Sequence, residues 1–244
     1  MEMRLVTYNE KLAQYREMSL DALYKALSTT STKIPMDGEA RLNVSQTKSG
    51  KSLYVISGCH YSSEALRLMH EVIRPCAQGN PTQWLFLVEG SPKGDVPEVI
   101  YGYLMGEKLG IPTENPIKDP YNKEVVERAI KSGMKREDVY TALLIGMLKV
   151  IPDIDRVADG LSKMWDVSSN YLCDLIAHLS LEVESNPESM SKKKETFRMI
   201  GNEIDRISNE LSSQELDRVI AKYPDRNNIF VYLGRNHREI LDRI

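Results

Sequence analysis

Cysteine and histidine are both scarce in this chain. The three cysteines, Cys59, Cys76 and Cys173, are odd in number, widely spaced and without a Cys-x-x-Cys pair. That pattern argues against a disulfide framework and against a thiolate zinc site. An excess of charge of one sign is missing too. The formal net charge is −3, which gives no global attraction to nucleic acid. The only basic run, Lys192-Lys193-Lys194, is followed directly by Glu195 and reads as a solvated helix start. Long apolar runs are also lacking. Met1 to Glu10 holds no apolar core of a signal peptide. The most apolar helical stretch, Thr141 to Ile151, contains Lys149 and is too short to span a bilayer. There is no Gly-x-Gly-x-x-Gly, no Walker loop and no Gly-x-Ser-x-Gly elbow, which weakens dinucleotide, P-loop and serine-nucleophile readings. The expectation is a reducing, cytoplasmic compartment, with neither a nucleic-acid nor a membrane partner.

What is present is an ordinary globular composition, 41% hydrophobic and 27% charged over 244 residues, enough for one sizeable domain. Residues 9–29 predict an amphipathic helix, and Arg41–Val44 with Leu53–Ile56 a hairpin across Thr47-Lys48-Ser49-Gly50. After His60, the apolar residues Ala65, Leu68, Met69 and Val72 recur at helical steps until Pro75 and Gly79. A strand follows at 84–88. Asp95, Pro97 and Glu98 then form a capping-box pattern that opens a helix closed by Gly110. Ile111 to Pro120, with three prolines, reads as a short extended segment and a loop. From 122 to 223 the pattern is helical, with segments at 136–151, 170–183, 193–211 and 216–223, before a last strand at 229–233. The alternation of strand and helix predicts an α/β fold with a small parallel or mixed central sheet flanked by helices. With no repeat or clear linker, one domain over 1–244 is expected, carrying a large helical insertion at 122–223 before the last strand.

Three of the apolar runs stop at residues able to do chemistry. Leu53-Tyr54-Val55-Ile56 leads into Ser57-Gly58-Cys59-His60, Trp84 to Val88 into Glu89-Gly90, and Ile229 to Leu233 into Gly234-Arg235-Asn236-His237. Only four histidines occur in the chain, and two sit at these stops. If the runs are neighbouring parallel strands, His60, Glu89 and His237 meet at the carboxyl edge of the sheet, where α/β folds bind ligands. Two imidazoles and a carboxylate suit Zn, Mn, Fe or Co. Without a metal they can act as general base and as stabiliser of developing charge. The bland alternative is that Glu89 caps a loop and each His bonds locally at its strand end.

Ser57-Gly58-Cys59-His60-Tyr61-Ser62, Val88-Glu89-Gly90 and Gly234-Arg235-Asn236-His237 resemble the scattered motifs of the TraB/Tiki, erythromycin esterase and ChaN-like superfamily. There a Gly-x-x-His follows the first core strand, a Glu the second and another Gly-x-x-His the last. Arg198, in Glu195-Thr196-Phe197-Arg198-Met199, resembles the arginine borne there on a helix before the last strand. The chain departs from the pattern at Ser57, where a glycine is expected, and at Gly90, where many relatives carry Leu then Asp. The resemblance implies a hydrolase of amide or ester bonds in a small molecule or peptide. Its catalytic residues would be His60, Glu89, His237 and Arg198, and a divalent metal would sit on His60, Glu89 and His237. It equally implies the alternative of a non-catalytic regulator that binds haem or another small ligand or sequesters a peptide.

Other residues read more plainly. Asp174, His178 and Glu182 recur at four-residue steps on what should be a solvated face, and His70 should be exposed. Ser62 and Ser63 suit helix capping. Cys59 is a candidate nucleophile of low rank, and Lys93 and Arg235 stand near the mouth of the crevice.

Overall fold

The computed structural model describes residues 8–31, 40–58, 60–93, 96–147, 154–185, 187–234 and 240. Five strands form one mixed sheet: β1 (Arg41–Gln46), β2 (Ser52–Gly58), β3 (Trp84–Val88), β4 (Thr113–Glu114) and β5 (Asn228–Gly234). Their spatial order is β1-β2-β5-β3-β4. β1 and β2 make the expected antiparallel hairpin, with Gly50 at φ +80 in its turn, a conformation that glycine adopts without steric cost. The pairs β2–β5, β5–β3 and β3–β4 are parallel. The last strand in the chain thus lies between the two that end in His60 and Glu89.

β3 and β5 are buried almost throughout, as strands covered on both faces must be, whereas edge strand β1 is largely exposed. The helices of this part are α1 (Tyr8–Glu17), α2 (Leu20–Ser31), α3 (Ser63–Leu68), α4 (Arg74–Gly79) and α5 (Pro97–Leu109). Leu23, Leu27, Ala65, Leu66, Val99 and Tyr101 from these helices cover one face of the sheet, around Ile56, Phe86, Val88, Phe230 and Tyr232. Phe86 and Phe230 meet edge to face at 5.2 Å. Against the other face, formed by Val55, Leu85, Leu87, Val231 and Leu233, pack Ile117, Leu216 and Val219.

The chain divides into two compact units, Met1–Ile117 with Ser213–Ile244, and Lys118–Ser212. The first holds the sheet. The second is helical in its described residues: α6 (Lys123–Lys131), α7 (Arg136–Met147), α8 (Ile154–Trp165), α9 (Ser169–Ser185) and most of α10 (Pro187–Lys222). Its core gathers Val125, Val139, Leu144, Leu172, Ile176 and Ile204, with Tyr140 stacked on Trp165 at 4.8 Å. The fold is α/β, with this helical segment placed before the last strand.

Three local expectations are corrected. The helix at 9–29 is two helices, because the Ser19 hydroxyl accepts from the Ala22 N–H at 3.3 Å and starts α2 afresh. Pro75 does not end its helix. The chain makes a π turn at Met69–Ile73 and continues as α4, with Pro75 in the first turn. The wider turn fits there, since proline has no N–H and crowds the carbonyl four residues back. The segments 193–211 and 216–223 are one uninterrupted helix, α10.

Candidate functional site

The parallel pairing brings the three strand ends side by side. Gly58 is level with Gly234 across β2 and β5, and Val88 with Tyr232 across β3 and β5. One position past β3, the Glu89 N–H still donates to the Tyr232 carbonyl at 3.0 Å, so the ladder itself places Glu89 beside β5. Its side chain then turns back, and Oε2 accepts the Gly234 N–H. Oε1 faces His60 Nε2 at 3.9 Å. Glu89 is 14% exposed and His60 40% exposed, so the carboxylate is sheltered while the imidazole reaches solvent.

Gly234 makes the approach possible. A Cβ there would stand 3.1 Å from Glu89 Oε2, which would have to give by a few tenths of an ångström, and 3.4 Å from His60 Nε2, at the edge of ordinary contact. The second glycine motif thus supplies backbone space and an N–H donor to the carboxylate. Its histidine, His237, lies outside the described residues, as do Arg235 and Cys59. Arg198 belongs to the second unit, where it is exposed and donates to Glu195 at 2.9 Å.

His60 enters this arrangement through a tight turn. Tyr61 has φ +64, the left-handed region that costs a non-glycine residue about 1–2 kcal/mol. The next residue, Ser62, caps α3 by accepting from the Ala65 N–H at 3.1 Å, as its sequence position suggested. Tyr232 stands edge-on to the His60 ring at 6.4 Å. On the far flank, the Tyr103 hydroxyl donates to the Gly90 carbonyl at 3.1 Å and fixes the loop after Glu89. A cavity of about 260 Å³ lined by Pro92, Tyr103, Leu104 and Thr113 opens on that flank, and neither His60 nor Glu89 lines it.

Sequence reasoning missed Glu98. The sequence placed it as the capping-box partner of an Asp95 N-cap; Asp95 lies outside the described residues, and α5 starts from Val96 without a side-chain cap. Glu98 is fully buried. The backbone N–H groups of Tyr61, Ser62 and Glu98 face its carboxylate, but none reaches regular hydrogen-bond geometry. Burial pushes its carboxyl up to about 7 despite those N–H dipoles. The signal was a lone carboxylate in Val96-Pro97-Glu98-Val99-Ile100, an otherwise apolar run.

His70 is the other correction. It is not exposed but stacks on Tyr24 at 4.1 Å, and its Nδ1 meets the Tyr101 hydroxyl at 2.6 Å. Burial and the neighbouring Arg74 lower its proton affinity. Asp174 and His178 are exposed, as expected, and Lys93, read as near the crevice mouth, is exposed too.

Chemically, the site offers a sheltered carboxylate oriented by a backbone donor, and a solvent-reaching imidazole. These are the parts of a general acid–base pair, and two of the three donors of an N/N/O metal set. Among the described residues, no group of three His, Cys, Asp or Glu is placed to hold a metal ion. Nor is any helix among them long and apolar enough to cross a membrane. Comparison with protein-family models, with curated proteins and with solved structures finds no match.

Proposed function

We propose that this protein hydrolyses an amide or ester bond in a small molecule or peptide, at the carboxyl edge of its sheet. The observation that carries the reading is the Glu89 carboxylate, held by the Gly234 N–H on one oxygen and facing His60 on the other. A group fixed in this way suits proton abstraction from water, since its orientation is set before substrate arrives. His60, the more exposed partner, is suited to pass a proton to the leaving group. Should a divalent ion such as Zn, Mn, Co or Fe bind, His60, Glu89 and His237 would hold it, and it would supply Lewis acidity to the bond under attack.

The test is hydrolysis of a panel of aryl esters and short peptides by the purified protein, with and without added divalent ions. Glu89→Gln and His60→Ala should each lower turnover by about 10²- to 10⁴-fold while leaving the melting temperature within a few degrees. No turnover on any substrate, or turnover indifferent to both variants, rejects the reading. A haem absorption band that depends on His60, without turnover, replaces it with a binding role.

A further inference from the structure

We infer that Glu98 is the positioning residue of His60. Its carboxyl serves the Nδ1 side of the imidazole across the Tyr61 turn, so that Nε2 is left to work toward Glu89. The inference rests on the proposed use of His60 in the site.

Two deficits meet at one turn. His60 Nδ1 is buried and has no hydrogen-bond partner among the described residues, and the same holds for both carboxyl oxygens of Glu98. Buried polar atoms are nearly always satisfied. Here one is a ring nitrogen able to donate and the others are oxygens able to accept. The Glu98 carboxyl lies against the N–H groups of Tyr61 and Ser62, the two residues that follow His60. Donor and acceptor therefore flank the same stretch of backbone, and a water bridging them would satisfy both.

The local backbone supports this role. The β2 ladder fixes the turn on one side and the Ser62 cap fixes it on the other, with Tyr61 held at φ +64 between them. Strain of this kind persists where the surroundings over-determine it, and clusters at functional sites. α5 has no side-chain hydrogen-bonded cap, and an apolar side chain would fill the place of Glu98 without a buried carboxyl. The identity of the group on one imidazole nitrogen decides what the other nitrogen can do. With an acceptor at Nδ1, the proton resides there, and the Nε2 lone pair is free on the side of Glu89 and Gly234.

The experiment is long-range ¹H–¹⁵N correlation of the histidine rings, with the His60 signals assigned by their loss in His60→Gln. In the native protein, neutral His60 should show the Nδ1–H tautomer. Glu98→Gln, whose amide oxygen still accepts, should keep it. Glu98→Met should shift the tautomer ratio by about five- to tenfold, the effect of one hydrogen bond. An Nε2–H tautomer in the native protein overturns the inference, and needs no variant to fold. So does a ratio that is the same in native protein and Glu98→Met. Because no substrate is used, the two readings fail separately. A tautomer that answers to Glu98 with no hydrolysis sinks only the hydrolase, and hydrolysis with a tautomer deaf to Glu98 sinks only the positioning role.

Discussion

The Glu98 carboxyl keeps its proton further into the neutral range than a carboxyl in water does, because its buried surroundings disfavour the charged form. That shift is also a statement about stability. Between 4.5, its ordinary value, and about 7, the unfolded chain has released this proton while the folded chain still holds it. Stability therefore falls as pH rises through that window, by about 3 kcal/mol in all, and is flat above it. Glu98→Gln removes the titration. In urea denaturation followed across pH 4 to 8, the variant should match the native protein at the acid end and exceed it above pH 7. Parallel curves for the two proteins would contradict this. His60 and Glu89 could be read from the sequence because each ends an apolar run. Glu98 could not, because Asp95-Val96-Pro97-Glu98 imitates a capping box, and only tertiary packing shows the carboxyl buried against the backbone of Tyr61 and Ser62.

At the scale of elements, the strands were easier to recognise than the helix boundaries. Central strands are continuous apolar runs, and those runs end where the strands end. Helix limits depend on single side chains that a periodic pattern passes over. Ser19 interrupts an apolar stripe that otherwise runs unbroken from Leu12 to Leu27, and its hydroxyl makes one helix into two. Ser19→Ala should therefore lower stability by about 1 kcal/mol, measured as a shift in denaturation midpoint, with no change in the ladder of the sheet. An unchanged midpoint would show that α2 starts without this cap. The π turn at Met69–Ile73 escaped notice for a related reason. Proline usually closes a helix, and the adjustment that lets it continue leaves no mark in hydrophobic spacing. The same turn carries His70 inward onto Tyr24 and Tyr101.

For the whole molecule, alternating strands and helices indicated an α/β sheet with a helical segment before the last strand, but not the strand order. Periodicity is local, and the position of β5 between β2 and β3 is a matter of long-range pairing. That position predicts a sharp contrast between two substitutions. Phe230 is fully buried in β5 against Phe86, and Phe230→Ala should cost about 3–5 kcal/mol, a large share of the about 5–15 kcal/mol that holds a domain together. Val44 on the edge strand is 62% exposed, and Val44→Ala should stay within about 0.5 kcal/mol. Equilibrium unfolding of the two variants side by side checks both, and similar losses would be inconsistent with a sheet organised around β5. A ribosome makes β1 to β4 first, then all of the helical second unit, and only afterwards the strand that joins β2 to β3. Until then Glu89 has no Gly234 to hold it and His60 no neighbour to face. The contact of Glu89 with Gly234 and its approach to His60 therefore wait on the pairing of β5, although both residues precede the helical second unit in the chain.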